Sequence, residues 1–163
     1  ADPKIKGIVL DLRNNPGGLL NASLQVLNHF LKPRSTAVQI KYSYFTQTQY
    51  ANGAGELGSY PLVVLINKGS ASASEIVAGA LQDYALGTLM GETSFGKGTV
   101  QEVNFFNDNS SLKLTVAQWL TPLGHSIQGN GIKPDISVAQ PEGSADVQLQ
   151  QALSKVKQLI NAR

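Results

Sequence analysis

Cysteine is absent from this 163-residue chain. Its absence removes disulfides, thiolate zinc sites and a cysteine nucleophile together. It does not place the compartment, because a secreted chain without cysteine is allowed. Charge is scarce as well: Asp, Glu, Lys and Arg make up 15% of the residues, against about 25% in an ordinary globular domain. Neutral polar residues fill the gap, so disorder driven by excess charge is excluded. A formal net charge of +2 is too weak a field for a nucleic-acid binder. No apolar run approaches the ~18 residues of a membrane span. No cluster of histidines or carboxylates has ligand spacing, so no metal and no other cofactor is expected. The chain opens Ala1-Asp2-Pro3-Lys4 without a basic-then-apolar leader, and on that ground reads as a mature fragment or an excised domain.

What is there reads as an α/β chain. Residues 6–12 (KGIVLDL) form a short apolar run rich in β-branched residues and predict a buried strand. Asn14-Asn15-Pro16-Gly17-Gly18 breaks it, and Leu20, Leu24, Leu27 and Leu31 then fall at helical spacing. Alternation over residues 35–50 predicts one or two exposed strands, followed by a glycine-rich loop over 51–59. LVVLIN at 62–67 is a second buried strand, and residues 72–84 form a second helix. A third short strand is expected at 88–91. A hairpin over 100–106 and 111–120 turns at Asn107-Asp108-Asn109. Residues 121–134 read as loop, and 146–160 as an amphipathic helix with Val147, Leu149, Leu153, Val156 and Ile160 on its face.

Three segments concentrate chemistry. Ser70-Ala71-Ser72-Ala73-Ser74-Glu75 follows a strand and opens a helix, so a hydroxyl there sits beside free N–H groups at the positive end of the helix dipole. That position suits stabilisation of an oxyanion. The same letters have a plain structural reading, because Ser72-x-x-Glu75 is a capping box. Gly91 to Thr99 places Lys97 between two glycines. It resembles a phosphate-binding loop, but Gly98 stands where the magnesium-binding hydroxyl belongs and a strand follows instead of a helix. A solvated surface lysine is the serious rival there. Asn15-Pro16-Gly17-Gly18 lets a backbone N–H approach a ligand closely, or is simply a tight turn. His29 and His125 have no matched carboxylate near the serine segment in sequence, and nothing supports a Ser-His-Asp triad.

Taken together, D-L-R-N-N-P-G-G (11–18), G-S-A-S-A-S-E-I (69–76), G-x-x-S-F-G-K-G-x-V-Q (91–101) and G-H-S-I-Q-G-x-G-I-K-P-D (124–135) resemble the carboxy-terminal processing, or tail-specific, proteases over residues 5–139. The resemblance implies a serine endopeptidase on a crotonase-like (Clp-protease/crotonase) α/β core of βα units with an additional hairpin. It implies Ser72 as nucleophile, Lys97 as base and Gln101 as the residue that assists the lysine. It further implies an oxyanion hole from backbone N–H groups at Ala73 and in the Gly17-Gly18 turn, with an acidic residue matching Asp83 in a supporting role. An ordinary lysine is protonated at neutral pH, and burial in apolar surroundings disfavours the ammonium, so a buried Lys97 could take the Ser72 proton. Asp83 follows Ser72 by 11 residues, ~16 Å along a straight helix, too far for direct catalysis. Glu75 and Ser94 are further supporting candidates.

The expected organisation is a catalytic core over 1–140, truncated at its N-terminus, and a C-terminal amphipathic helix within 141–163. Family members carry a PDZ domain and flanking segments ahead of D-L-R-N-N-P-G-G, and these have no counterpart here. The expected partners are protein or peptide substrates cleaved near their C-termini, with a second copy of the chain or an adaptor protein left open. No nucleic acid and no membrane span are expected, and the family places the chain outside the cytoplasm, in the periplasm of bacteria with two membranes. The alternatives are an inactive truncated core, or a non-catalytic binding module similar to the retinoid-binding modules of the interphotoreceptor matrix. The presence of both Ser72 and Lys97 argues against the binding module.

Overall fold

A computed structural model describes residues 4–143 and 145–162; the ends of the two expected units at 1–3 and 163, and residue 144, lie outside the described residues. The fold is built around β4 (Leu62–Ile66), whose five side chains are all buried. A continuous apolar strand of this kind needs cover on both faces, which is the environment of a parallel sheet. β4 lies between β1 (Ile8–Asp11) and β5 (Thr88–Gly91), and both pairings are parallel. A two-residue strand, β8 (Ile136–Ser137), extends the sheet beyond β5, giving the order β1-β4-β5-β8.

The period of two along β4 divides the interior. Leu62, Val64 and Ile66 join a large core with α1 (Leu20–Phe30), α2 (Ala73–Asp83) and a second sheet. Val63 and Leu65 face the other way, against Met90, Val138 and the Ala152 and Val156 side chains of α3 (Val147–Asn161). The second sheet is antiparallel, in the order β3-β2-β7-β6, from β2 (Thr36–Lys41), β3 (Thr46–Tyr50), β6 (Thr99–Phe105) and β7 (Ser111–Leu120). Val38, Ile40, Ala117 and Trp119 deliver its apolar face to the large core. α2 is buried from Ala73 through Leu81. A Cβ on Gly79 would stand 2.9 Å from Thr121 Cγ2, so this glycine admits the loop that runs from Thr121 to Ile132.

Two burial expectations fail: β2, expected exposed, buries Ala37, Val38 and Ile40 against the large core, and β1, expected buried, is half-buried with Asp11 exposed because it forms the sheet's edge. The predicted elements themselves recur with small shifts at their ends. β8 is the exception: it falls just past the expected 121–134 loop and was not anticipated. Two residues are too short to show a period. The strand is held by its neighbours, with the Asp135 carboxylate accepting the Leu89 N–H at 2.8 Å and the Gln82 amide at 2.7 Å.

This topology gathers the sequence motifs. β1, β4 and β5 run side by side in one direction, so the chain leaves all three at the same edge of the sheet. The loops that follow them are the 12–19, 67–72 and 92–98 segments. In open α/β sheets this edge is where ligands bind.

α3 is latched to that edge by Arg13. Its guanidinium donates to both carboxylate oxygens of Asp146, at 2.7 and 2.8 Å, and to both of Asp11, at 2.9 and 2.6 Å. Asp146 is also the N-cap of α3, accepting the Leu149 N–H at 2.9 Å. The Arg13 hydrogen bond, helped by the Leu149 N–H, lowers the Asp146 carboxyl to about 2. Asp11 is lowered as well, chiefly by its side-chain hydrogen bond to Arg13. Depressed carboxyls stabilise the fold above their unfolded pKa, near 4, and lose that contribution as pH falls through the folded value. Amide exchange in α3 should therefore accelerate, relative to β4, between about pH 4 and 2. Asp146→Asn should exchange faster at pH 7 and respond less to acid. An acid response unchanged by the substitution would remove Asp146 from the latch.

Candidate active site

Ser72 stands at the turn from β4 into α2 with φ 53° and ψ −115°. An ordinary N-cap is extended, with negative φ. A positive φ on a residue with a side chain costs on the order of 1–3 kcal/mol and persists only where its surroundings impose it. The Glu75 half of the capping box is made, with Oε2 accepting the Ser72 N–H at 2.8 Å. The reciprocal half is secondary: the Ser72 side chain faces the Glu75 N–H, but that N–H bonds the Ser72 carbonyl at 2.9 Å, and the hydroxyl proton is donated to no group among the described residues. The strained turn leaves a half-buried hydroxyl at a helix N-terminus with its proton donated to no group among the described residues. A strand-to-helix turn that thrusts a serine outward in this way is the geometry of a nucleophile elbow.

The Gly17-Gly18 turn abuts this elbow. Gly17 has φ 95°, and a Cβ on it would meet Ala71 O at 2.6 Å and Ala73 N at 2.8 Å. Any side chain would therefore push the two turns apart. Asn15 joins them: its carbonyl accepts the Ala71 N–H and the Ser74 hydroxyl, each at 3.0 Å. Its side-chain oxygen accepts the Gly17 N–H at 2.9 Å. The Gly17 N–H is thus engaged, whereas the N–H groups of Gly18 and Ala73 donate no hydrogen bond among the described residues. An apolar cavity of about 140 Å³ opens beside these two donors, lined by Leu10, Leu12, Leu19, Ala22, Val26 and Val77.

The lysine turn is tied in from the other side. Glu75 is fully buried. Its Oε1 accepts the Ser94 hydroxyl at 2.5 Å and the Gly96 N–H at 2.6 Å. Its Oε2 accepts the Lys97 N–H at 2.9 Å as well as that of Ser72. Residues 127–132 clasp the outer side of the turn: Gly129 N–H donates to Gly96 O at 2.9 Å, and Gly98 N–H donates to Gln128 Oε1 at 2.9 Å. A Cβ on Gly98 would lie 2.3 Å from Gln128 N, which explains the glycine after the lysine. Ser94 belongs to this framework, since its hydroxyl also accepts the Ile132 N–H at 2.6 Å.

The backbones of Ser72 and Lys97 are therefore brought together, but their side chains are not. Lys97 is exposed, and its amine makes no hydrogen bond or ion pair among the described residues. The expected apolar shell around it is not supplied by these residues, because the glycine-flanked turn sits at the rim of the sheet edge. Gln101 lies exposed on β6 opposite Thr115, just past a bulge, and bonds neither side chain. Asp83 sits at the far end of α2, where its carboxylate accepts the Leu123 N–H at 2.7 Å and lies 3.4 Å from His125. His29 pairs with Glu56 at 2.5 Å.

The sequence names Asn15 only as part of its glycine turn and gives Gln128 no role. Both lie inside the quoted motifs, but a side chain's reach to a distant backbone N–H leaves no trace in spacing.

Residues 1–138 match the family model described as peptidase family S41. A probable CtpA-like serine protease of Staphylococcus aureus is 46% identical over 140 residues, which is 85% of this chain and 28% of that protein. A carboxy-terminal-processing protease of Bartonella bacilliformis is 49% identical over 139 residues, 85% of this chain and 32% of that protein. Among solved structures, a photosystem II D1 C-terminal processing protease superposes with a TM-score of 0.76 at 42% identity, covering 83% of this chain and 35% of that one. The chain thus spans about a third of the length of these relatives. A strained serine at a helix N-terminus, two free N–H groups beside it and a family match across nearly the whole core agree: the chain belongs to peptidase family S41.

Proposed function

We propose that this chain is the catalytic core of a serine endopeptidase that cleaves proteins or peptides near their C-termini through a Ser72–Lys97 dyad. The observation that carries the reading is the Ser72 turn, a strained serine whose hydroxyl donates to no group among the described residues, beside the free N–H groups of Gly18 and Ala73. The layered βα arrangement is consistent with a crotonase-like core. An extracytoplasmic, periplasmic setting follows from the resemblance, and among the described residues no helix is long and apolar enough to cross a membrane.

In this mechanism the neutral Lys97 amine takes the hydroxyl proton as Ser72 Oγ attacks the scissile carbonyl carbon. The developing oxyanion accepts from the Ala73 and Gly18 N–H groups. Gly17 acts by its small size and its φ, because its own N–H is held by Asn15. Collapse expels the amine product, which takes the proton back from Lys97, and leaves an acyl-Ser72 ester. Water then gives a proton to Lys97 and attacks the ester. The carboxylic product leaves and Ser72 recovers its proton. Two backbone nitrogens within 2.9 Å of one Glu75 oxygen are less than about 6 Å apart, so a lysine side chain turned inward can reach the hydroxyl. A bound peptide lying over the turn would exclude water from the amine and disfavour its charge. Gln101 holds the amine without adding charge.

The apolar cavity fits the side chain on the acyl side of the cut bond. A void on the order of 150 Å³ takes a benzene-sized guest, so small aliphatic side chains are preferred. The exposed Lys97 favours one second reading, a core at rest until a partner, an adaptor or a second copy covers the site.

Labelling with a fluorophosphonate probe tests the dyad. The chain as naturally expressed should label at one residue, and Ser72→Ala should not label. Lys97→Ala should label about 100-fold or more slowly. Undiminished labelling of Lys97→Ala would remove the lysine from the chemistry.

Filling the cavity with Ala22→Leu should cut kcat/KM for peptides with Val or Leu before the cut bond by about 10-fold or more. Peptides with Ala there should change little. An equal loss for both would mean that the cavity does not select the substrate.

A further inference from the structure

Glu75 is a buried carboxylate that the mechanism above does not use, and its surroundings are unusual. Four donors converge on it, and they come from the two loops that carry the reacting residues. A carboxylate accepts and does not donate, so one group can satisfy all four. Oε2 is shared by the Ser72 and Lys97 N–H groups, at 2.8 and 2.9 Å. Among the described residues no other hydrogen bond joins Ser72 and Lys97 so directly. A parallel contact, Phe95 N–H to Ser70 O at 2.9 Å, lies two residues from each of them.

We propose that Glu75 is a positioning residue whose single oxygen Oε2 sets the spacing between nucleophile and base, while Oε1 keeps the carboxylate from turning by holding Ser94 and Gly96. This rests on the dyad reading above. Its consequence is that Glu75 matters to the reaction through Lys97. A glutamine can do the same work. Its amide oxygen takes the Oε2 place and keeps both N–H bonds. Its NH₂ faces the Ser94 hydroxyl, which can accept, while the Gly96 N–H and the Ser94 O–H, which both donate to Oε1, lose that acceptor and the two bonds to Oε2 remain. Leucine fills the same space and anchors neither loop.

The test is a cycle of fluorophosphonate labelling rates on chains shown to be folded by thermal unfolding. Glu75→Leu should slow labelling of Ser72 by about 30-fold or more when Lys97 is present, and by less than about 3-fold in Lys97→Ala. Glu75→Gln should stay within about 5-fold of the unchanged chain. If Glu75→Leu does not fold, Glu75→Asp, which withdraws the oxygens by one methylene, replaces it in the cycle. Equal slowing with and without Lys97 would overturn the proposal, because Glu75 would then act on the elbow or the fold alone. Glutamine as slow as leucine would also overturn it. The Lys97→Ala chain labelling at the unchanged rate would instead defeat the dyad reading, and this is read before any Glu75 variant is compared.

Discussion

The site depends on one buried anion. Glu75 is inside the protein because it opens a helix that is covered on every side, and a carboxylate so placed is costly unless its lone pairs are met. Here four hydrogen bonds meet them. They tie the loop after β4 to the loop after β5. A helix cap and an active-site scaffold usually compete as explanations of Ser-x-x-Glu. In this chain both sides of the box are in place, the carboxylate also bonds the lysine turn, and the serine hydroxyl donates to no group among the described residues. The positive φ of Ser72 is what separates the two uses, since capping alone does not require it.

The sheet does the rest of the gathering. Three adjacent parallel strands deliver the Gly17-Gly18 turn, the serine elbow and the lysine turn to one edge, although the sequence separates them by up to 80 residues. Each junction is then tightened by backbone contacts too close for a Cβ. Gly17 lies against Ala73, and Gly98 lies against Gln128. The Arg13 latch adds α3 to the same edge, so the N-cap of α3 and the end of β1 are held by one guanidinium.

Much of this was legible in the sequence, for identifiable reasons. LVVLIN reads as a buried strand because its apolar run is short and unbroken. The amphipathic period of residues 146–160 reads as a helix that covers one face. The three motifs name the serine, the lysine and the glycines because those residue types are chemically constrained. What was not legible depends on tertiary approach. β8 exists only because β5 and Asp135 hold it. That Gly18 and not Gly17 keeps its N–H free follows from the side-chain rotamer of Asn15. The exposure of Lys97 follows from where the 92–98 loop leaves the sheet, and no local pattern encodes that.

The central claim is that a proton passes from Ser72 to Lys97 while two backbone amides hold the oxyanion. A crystal structure of the naturally expressed chain with a peptidyl boronic acid on Ser72 tests it most directly. The account predicts one boronate oxygen about 3 Å from both the Gly18 and Ala73 nitrogens, with the Lys97 amine turned inward to within about 3 Å of the Ser72 oxygen. A boronate aimed at solvent, with the Lys97 amine out of hydrogen-bond reach of the Ser72 oxygen, would contradict it.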